Sequence, residues 1–479
     1  MPMIVHALWR RSYCTHLKRV SDILASGQTE GSCRIQGWVS QVEKRGRKLI
    51  FVKVTDRRSG SERRDVLQVL TTKDMLGEPL PIGSAIDVVG RLASSPGPKQ
   101  PVELVADSLT VFPNRFTHFL SEQVSTANLR DELESRPANP AFAAMLRLRA
   151  GLKNAMRSFL QEEDMVEVDT PLLTSNDCEG AGQTFSVVGD SATAATADAA
   201  GDTDDDQGPF FGKDVYLTVS SQLHLEAIAT GLPGAFTLSP CFRAERSGLK
   251  RHLAEFYMLE VEKAFVDRLE QITDLAQRLV LHCAHHLVDK CAHAIESSSP
   301  LLSDGLTAVE SRVSALALDG GSSTFPVVSF AEALELLRSA GRLVDERRAL
   351  SFAEELEVVR HCGARPVFVV NFPARLKPFY MRRAPDDHSQ AACFDLLLPN
   401  VGEVAGGSLR EGDYDTLQER LASIGLQDTL HWYLKLRQCG QPPLGGFGVG
   451  FDRLLLFLLG VKRIQEVVPF PRCYKRCQL

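Results

Sequence analysis

Five short segments between Cys33 and Phe112 constrain this chain most. Each alternates apolar and polar residues and is too short to be anything but a strand. They read RIQGWVSQV, KLIFVKV, DVLQVL, AIDVVGRL and PVELVADSLTVF, separated by turns rich in Gly, Ser, Pro and charge. A period of two buries one face of a strand, and five such strands within about 80 residues close into a small β-barrel. In a chain of 479 residues, 44% apolar and 24% charged, that barrel is one of two or three domains.

The apolar run Leu454–Leu459 falls far short of the roughly 20 residues that span a bilayer, so no membrane segment is expected. The 11 cysteines lie singly from Cys14 to Cys477 without a CxxC pair, which predicts reduced thiols in a non-secreted protein. A net charge of -6 leaves the partner open, because a local basic face on an acidic chain still holds a polyanion. Residues 1–20 contain Arg10, Arg11, Lys18 and Arg19 and no acid, the composition of an amphipathic mitochondrial transit peptide, and the expected destination is the matrix. A frayed N-terminus that is basic by chance has the same composition.

The domain order predicted is this segment, the barrel over 30–114, a polar Pro-bearing hinge over 115–140, and a larger domain over 141–479 that opens on a helical period from Phe142 to Phe159. Two insertions interrupt it. Residues near 187–213 are biased to Ala, Asp, Gly and Thr and have no apolar period, while residues near 267–325 place Leu269, Ile272, Ala276, Leu279, Cys283 and Leu287 at helical spacing before a Ser- and Gly-rich stretch. His282, Cys283, His285, His286, Cys291 and His293 suggest zinc, but one helix cannot surround a tetrahedral ion, and a helix face is expected.

The segment PCFRAERSGLKRHLAEFYMLEVEKAF, Pro240 to Phe265, reads as strand, charged loop and strand. A hairpin there gathers Arg243, Glu245, Arg251, His252, Glu255 and Glu260; guanidinium forks match phosphate oxygens, and Phe256 offers a face to a base. An ordinary surface hairpin with salt bridges predicts the same residues. Further on, GGFGVGFDRLLLFLLG lets a glycine backbone approach a ligand at Gly446, Gly448 and Gly450 before a helix begins near Asp452 with Arg453 in its first turn. Alone, that run reads equally as a tight turn.

Three segments in order, VEVDTP ending at Pro171, FRAE with its hairpin, and GFGVGFDR, resemble the signature motifs of class II aminoacyl-tRNA synthetases, and the tail VVPFPR, Val467 to Arg472, is similar to the aspartyl and asparaginyl branch. The resemblance covers about residues 33–479 apart from the insertions. It implies an α+β chain: an N-terminal OB-fold barrel that binds the anticodon, then an antiparallel catalytic sheet flanked by helices, in a homodimer built around Pro171. It also implies ATP as substrate. Arg243 would grip the α-phosphate and Glu245 lie beside ATP, with Arg251 and His252 toward the β- and γ-phosphates. Phe256 would stack on adenine, Gly450 line the nucleotide site and Arg453 meet the γ-phosphate. Arg243 and Arg453 are thus the expected catalytic pair, with Asp395 and Glu403 holding Mg²⁺.

For the amino acid, the resemblance points to Glu179 in SNDCEGAG, Gln222 in VSSQLHLE, Glu260, and Arg410 in SLRE. Aspartyl members resemble QLxK where this chain has Leu225; without that lysine a substrate carboxylate is short of a partner, and an amide is favoured. Glu226 then offers an acceptor to the amide N–H and repels a carboxylate, although a surface glutamate is a competing reading. LKPFYMR, Leu376 to Arg382, read as a strand, also looks asparaginyl. In the barrel, Phe51 would stack on an anticodon base, with Gln68 and Glu103 at hydrogen-bonding positions and Lys44, Arg45, Arg47 and Lys48 near phosphates. The expected activity joins asparagine to tRNA(Asn). Rivals are an aspartyl or non-discriminating enzyme, a catalytically dead RNA-binding paralogue, and an ATP-dependent amide synthetase, which would not need the barrel.

Overall fold

The computed structural model describes residues 16–45, 48–56, 66–76, 80–97, 100–112, 126–175, 183–189, 210–302, 305–316 and 324–479. Residues 1–15 of the expected targeting segment, most of the acidic insertion, the first part of the hinge, Arg47 and Glu179 lie outside them. The chain divides into two compact units, Met1–Met145 with Ala292–Leu301 and Leu146–Cys291 with Leu302–Leu479.

In the first unit β1 (Gly31–Arg45), β2 (Leu49–Thr55), β3 (Leu67–Thr72), β4 (Ala85–Ser94) and β5 (Val102–Phe112) close a barrel in the order β1-β2-β3-β5-β4, with β3 and β5 parallel. Alternation puts Ile35, Val52, Val54, Val69, Val88 and Leu104 inside, each buried and contributing about 1.5–3 kcal/mol by leaving water. The β4–β5 register shifts at Gly90, opposite an extra residue in β5, and a Cβ at Gly90 would strike the Val105 carbonyl, so only glycine lets the strands close here. Part of the hinge is folded: residues 126–131 are helical, and Arg136, only 1% exposed, stacks 4.2 Å from the Phe142 ring centroid.

The second unit is built on β6 (Val166–Glu167), β9 (Gly234–Phe242), β10 (Glu255–Ala264), β11 (Val327–Ser329), β12 (Val367–Val370), β13 (Cys393–Leu398), β14 (Gly402–Leu409) and β15 (Leu444–Gly450), with β7 (Leu173–Thr174) and β8 (Tyr216–Leu217) as a separate pair. The sheet order is β11-β12-β13-β14-β15-β10-β9-β6. Pairing is antiparallel from β12 through β9, as expected, and parallel at the two edges, β11–β12 and β6–β9.

The helix Pro140–Glu162 buries Leu148, Leu152, Met156 and Phe159 at helical spacing. The second insertion forms the helices Leu269–Ser298 and Gly305–Ser314; Cys283 faces the core, while His285 faces solvent. Among the described residues no helix is long and apolar enough to cross a membrane, and no group of three or more His, Cys, Asp or Glu is placed to hold a metal. Leu376–Arg382 is irregular rather than a strand, since Pro378 has no N–H to donate to a ladder.

Candidate active site

The hairpin read from the sequence forms β9 and β10, which pair from Glu255↔Phe242 to Lys263↔Gly234. That register carries Arg243, Glu245, Arg251, His252, Phe256 and Glu260 to one cleft of about 330 Å³, also lined by Gln222, Leu225, Lys377, Tyr380, Asp395, Glu403, Arg410, Gly450 and Arg453. The glycine run is not a turn but strand β15. A Cβ at Gly446 would strike the Glu262 carboxylate, and one at Gly448 would come within 2.6 Å of Met258, so these two glycines make room for β10 side chains. Gly450 caps the helix Phe451–Leu459, whose Asp452 pairs with buried Arg149 and accepts the Tyr257 N–H at 3.2 Å, fixing the turn that carries Arg453.

At the open end, the Arg243 guanidinium lies 5.5 Å from the Phe256 ring centroid, and His252 Nδ1 lies 3.0 Å from Glu245 Oε2. His252, then Arg243 and Arg453, hold the Glu245 carboxyl below its ordinary range. Arg251 donates to the Val401 carbonyl at 3.4 Å and Arg453 to the Glu403 carbonyl at 2.9 Å. Asp395 and Glu403 converge over Gly406, whose Cβ position is 3.3 Å from Asp395 Oδ1 and 3.6 Å from Glu403 Oε1. Two carboxylates that converge on one space are the donor type a hard cation such as Mg²⁺ takes. Lys377, which the sequence reading assigned no role, donates to both oxygens of Asp395 at 2.7 and 2.8 Å, yet burial still pushes that carboxyl up to about 6.

The closed end is a buried ionic network. Arg410 donates to Glu262 through Nε and Nη2 at 2.9 and 2.7 Å and to Ser408 at 2.6 Å. The Gln222 amide, turned with its oxygen toward Arg410, accepts at 2.8 and 3.1 Å and donates to the Tyr380 hydroxyl at 3.2 Å. Leu225 lies in the cleft wall, fully buried. Glu226 does not line the cleft: one helical turn beyond Gln222, it is fully buried and accepts from Tyr433 at 2.6 Å and Arg437 at 3.0 Å, with Arg410 Nε 3.7 Å away. The reading of Glu226 as a surface glutamate is thereby corrected. Its neighbours come from residues some 200 positions later, whose approach no local spacing announces. Glu260 is 3% exposed and accepts the Ser220 hydroxyl and the Ser221 N–H, the latter at 2.8 Å; burial raises its carboxyl.

In the barrel Phe51, Gln68 and Glu103 share the outer face: Phe51 pairs with Leu70, two residues along from Gln68, and Gln68 donates to Glu103 at 3.0 Å. The Arg45 guanidinium lies 5.7 Å from the Phe51 ring centroid. Pro171 is exposed beside exposed Leu172 and Leu173.

Arginines around the open end of the cleft, a buried polar network behind them and an antiparallel floor beneath both make the organisation of a class II synthetase. The sequence matches the family described as tRNA synthetases class II (D, K and N) over residues 132–474, and the chain belongs to that family. An asparaginyl-tRNA synthetase of Homo sapiens is 37% identical over 471 residues, 96% of this chain and 94% of that protein, and an asparagine--tRNA ligase of Microcystis aeruginosa is 34% identical over 462 residues, 95% and 98%. The structure of asparaginyl-tRNA synthetase from Pyrococcus horikoshii complexed with asparaginyl-adenylate is similar at a TM-score of 0.77 and 28% identity, covering 93% of this chain and 96% of that one. An aspartyl-tRNA synthetase from Entamoeba histolytica reaches 0.72 at 19% identity, covering 98% and 94%, so the fold alone does not select the amino acid.

Proposed function

We propose that the protein is an asparagine–tRNA ligase, which joins asparagine and ATP into asparaginyl-adenylate and passes the acyl group to tRNA(Asn). The observation that carries this reading is the charge balance at the closed end. Arg410 reaches the cleft already matched by Glu262, and Arg437 matches Glu226 behind it. A neutral amide docks on this set without upsetting it, whereas a carboxylate adds an unpaired buried charge beside Leu225 that costs several kcal/mol. The names of the relatives agree with an amide substrate.

The chemistry asks little proton transfer of the protein. The substrate carboxylate attacks the α-phosphorus of ATP, pyrophosphate leaves, and the work is alignment and neutralisation of developing charge. Arg243 would hold the α-phosphate, Arg251 and Arg453 the phosphates beyond it, and buried Glu260 the substrate ammonium. Asp395 and Glu403 would hold Mg²⁺, which supplies further positive charge to the phosphates. A cavity of about 830 Å³ that shares Glu245 is lined by Arg246, Arg472, Lys475, Arg476, Phe185 and Tyr474, a cationic and aromatic surface suited to the tRNA 3′ end. The outer-face set Phe51, Gln68 and Glu103 would meet the anticodon, and the exposed apolar stretch at Pro171, Leu172 and Leu173 supports a homodimer through this segment. The acid-free residues 1–20 support mitochondrial import, which imaging of an N-terminal fusion tests.

The deciding experiment is amino-acid-dependent ATP/pyrophosphate exchange with Asn, Asp and Lys. Exchange with Asn alone supports the proposal, exchange with Asp overturns the specificity, and none at all returns the chain to a binding-only paralogue.

A further inference from the structure

The first turn of the helix Phe352–His361 meets the phosphate end of the cleft, although no motif marks it. Glu355 Oε2 accepts the Glu403 N–H at 3.1 Å and lies 3.8 Å from Arg251 Nη1. One turn earlier, the Phe352 ring centroid lies 3.5 Å from the centre of the Arg251 guanidinium. The β13–β14 turn is shaped around this contact: Gly402 has φ of +75°, and a Cβ there would collide with the Glu355 carboxylate and sit 3.1 Å from the Phe352 ring. The Glu403 residue is thus held at both ends of its backbone, its N–H by Glu355 and its carbonyl by Arg453.

We infer that Phe352 and Glu355 are positioning residues for the β- and γ-phosphates of ATP, acting through Arg251 and Glu403. The inference rests on the proposed roles of those two groups. Arg251 on the hairpin loop and Glu403 at the start of β14 belong to separate elements, and the loop that carries Arg251 has no ladder partner of its own. The helix supplies one carboxylate that reaches both and one ring on which the Arg251 guanidinium sits, so the cation and the anion of the phosphate end are set in a single register. Face-on stacking over an aromatic ring restricts a guanidinium that would otherwise sample many rotamers.

The test is equilibrium binding of ATP and AMP, each with Mg²⁺, by calorimetry on the full chain, alongside Asn-dependent exchange. AMP has no phosphate for Arg251 to meet, so it separates this role from general damage to the fold. Glu355→Ala should weaken ATP binding about tenfold or more and leave AMP within about twofold, as loss of an outer partner that orients a ligand group does. Glu355→Gln, which keeps an acceptor for the Glu403 N–H, should recover part of the loss, and Phe352→Leu should give a smaller ATP-only loss. Unchanged ATP affinity in Glu355→Ala, or equal weakening of ATP and AMP across these variants, overturns the inference. A wild-type chain that binds ATP but shows no exchange with Asn sinks the proposed activity and leaves this result to be judged on the affinities alone.

Discussion

The two ends of the cleft solve opposite problems with the same residue types. At the phosphate end the hairpin arginine has a loose partner: the Arg251 and Glu355 side chains are 20% and 12% exposed and 3.8 Å apart. At the amino-acid end, Arg410, Glu262, Glu226 and Arg437 are at most 3% exposed and tightly paired. A triphosphate arrives with excess negative charge, and cations that are only partly neutralised remain available to it. An amide arrives neutral, and a set already balanced accepts it while resisting anything charged. Selectivity for charge therefore depends on how completely a site has answered its own charges before the ligand enters.

The sharpest way to break this comparison is at the phosphate end. Arg453→Ala removes a cation whose guanidinium donates to the Glu403 backbone carbonyl and whose charge also reaches the Glu245 and Glu355 carboxyls. Adenylate formation should fall by about a thousandfold, the scale of losing one group aimed at developing charge, while tRNA binding by gel shift stays nearly intact. Normal exchange would remove Arg453 from the reaction.

The next effect tests the closed end. Glu262→Gln leaves the network with one excess positive charge beside the substrate side chain, so discrimination between Asn and Asp in exchange assays should shrink by at least about tenfold. Tyr433→Phe removes a hydroxyl that donates to Glu226 and accepts from Arg437 but removes no charge, and should change the ratio less. An unaltered ratio in Glu262→Gln would mean that charge balance does not set the preference.

These ends also differ in how far the sequence betrays them. Arg243, Glu245, Arg251, His252 and Phe256 belong to one hairpin, so a strand–loop–strand reading gathers them without any knowledge of the fold. The barrel strands were legible for the same reason: a period of two is local. The closed end was legible only in part, because Glu226 is separated from Tyr433 and Arg437 by some 200 residues, and a lone glutamate on an apolar helix looks alike whether it meets substrate, solvent or a distant arginine. Glu355 was invisible because FAEELEVVRH has the pattern of any amphipathic surface helix. The edge strands β6 and β11, two and three residues long, are too short for an alternating pattern to reveal their direction.

The proposed anticodon face of the barrel would supply a third term, a site whose partner contributes only affinity. Phe51→Ala should raise the KM for tRNA about tenfold, the worth of one stacked base, and leave exchange without tRNA unchanged. A fall in tRNA-free exchange would show that the outer face of the barrel does something other than hold RNA.

The smallest effect lies in the helix that serves the phosphate end, where two adjacent carboxyls are driven apart. Burial and the nearby Glu403 push Glu355 up to about 7, whereas Glu354 is held down to about 2 by its bidentate contact with Arg348 and by the Ser351 N–H. A carboxyl whose folded value is depressed stabilises the fold above its ordinary value of 4.5, and that contribution disappears as pH falls from 4.5 toward 2. Glu354→Gln should therefore lower Tm slightly at pH 7 and converge with the wild type near pH 2. The effect is small because the Arg348 side chain is 46% exposed and water screens the pair. A Tm gap that stayed constant down to pH 2 would assign the contribution of Glu354 to the shape of its helix cap rather than to its charge.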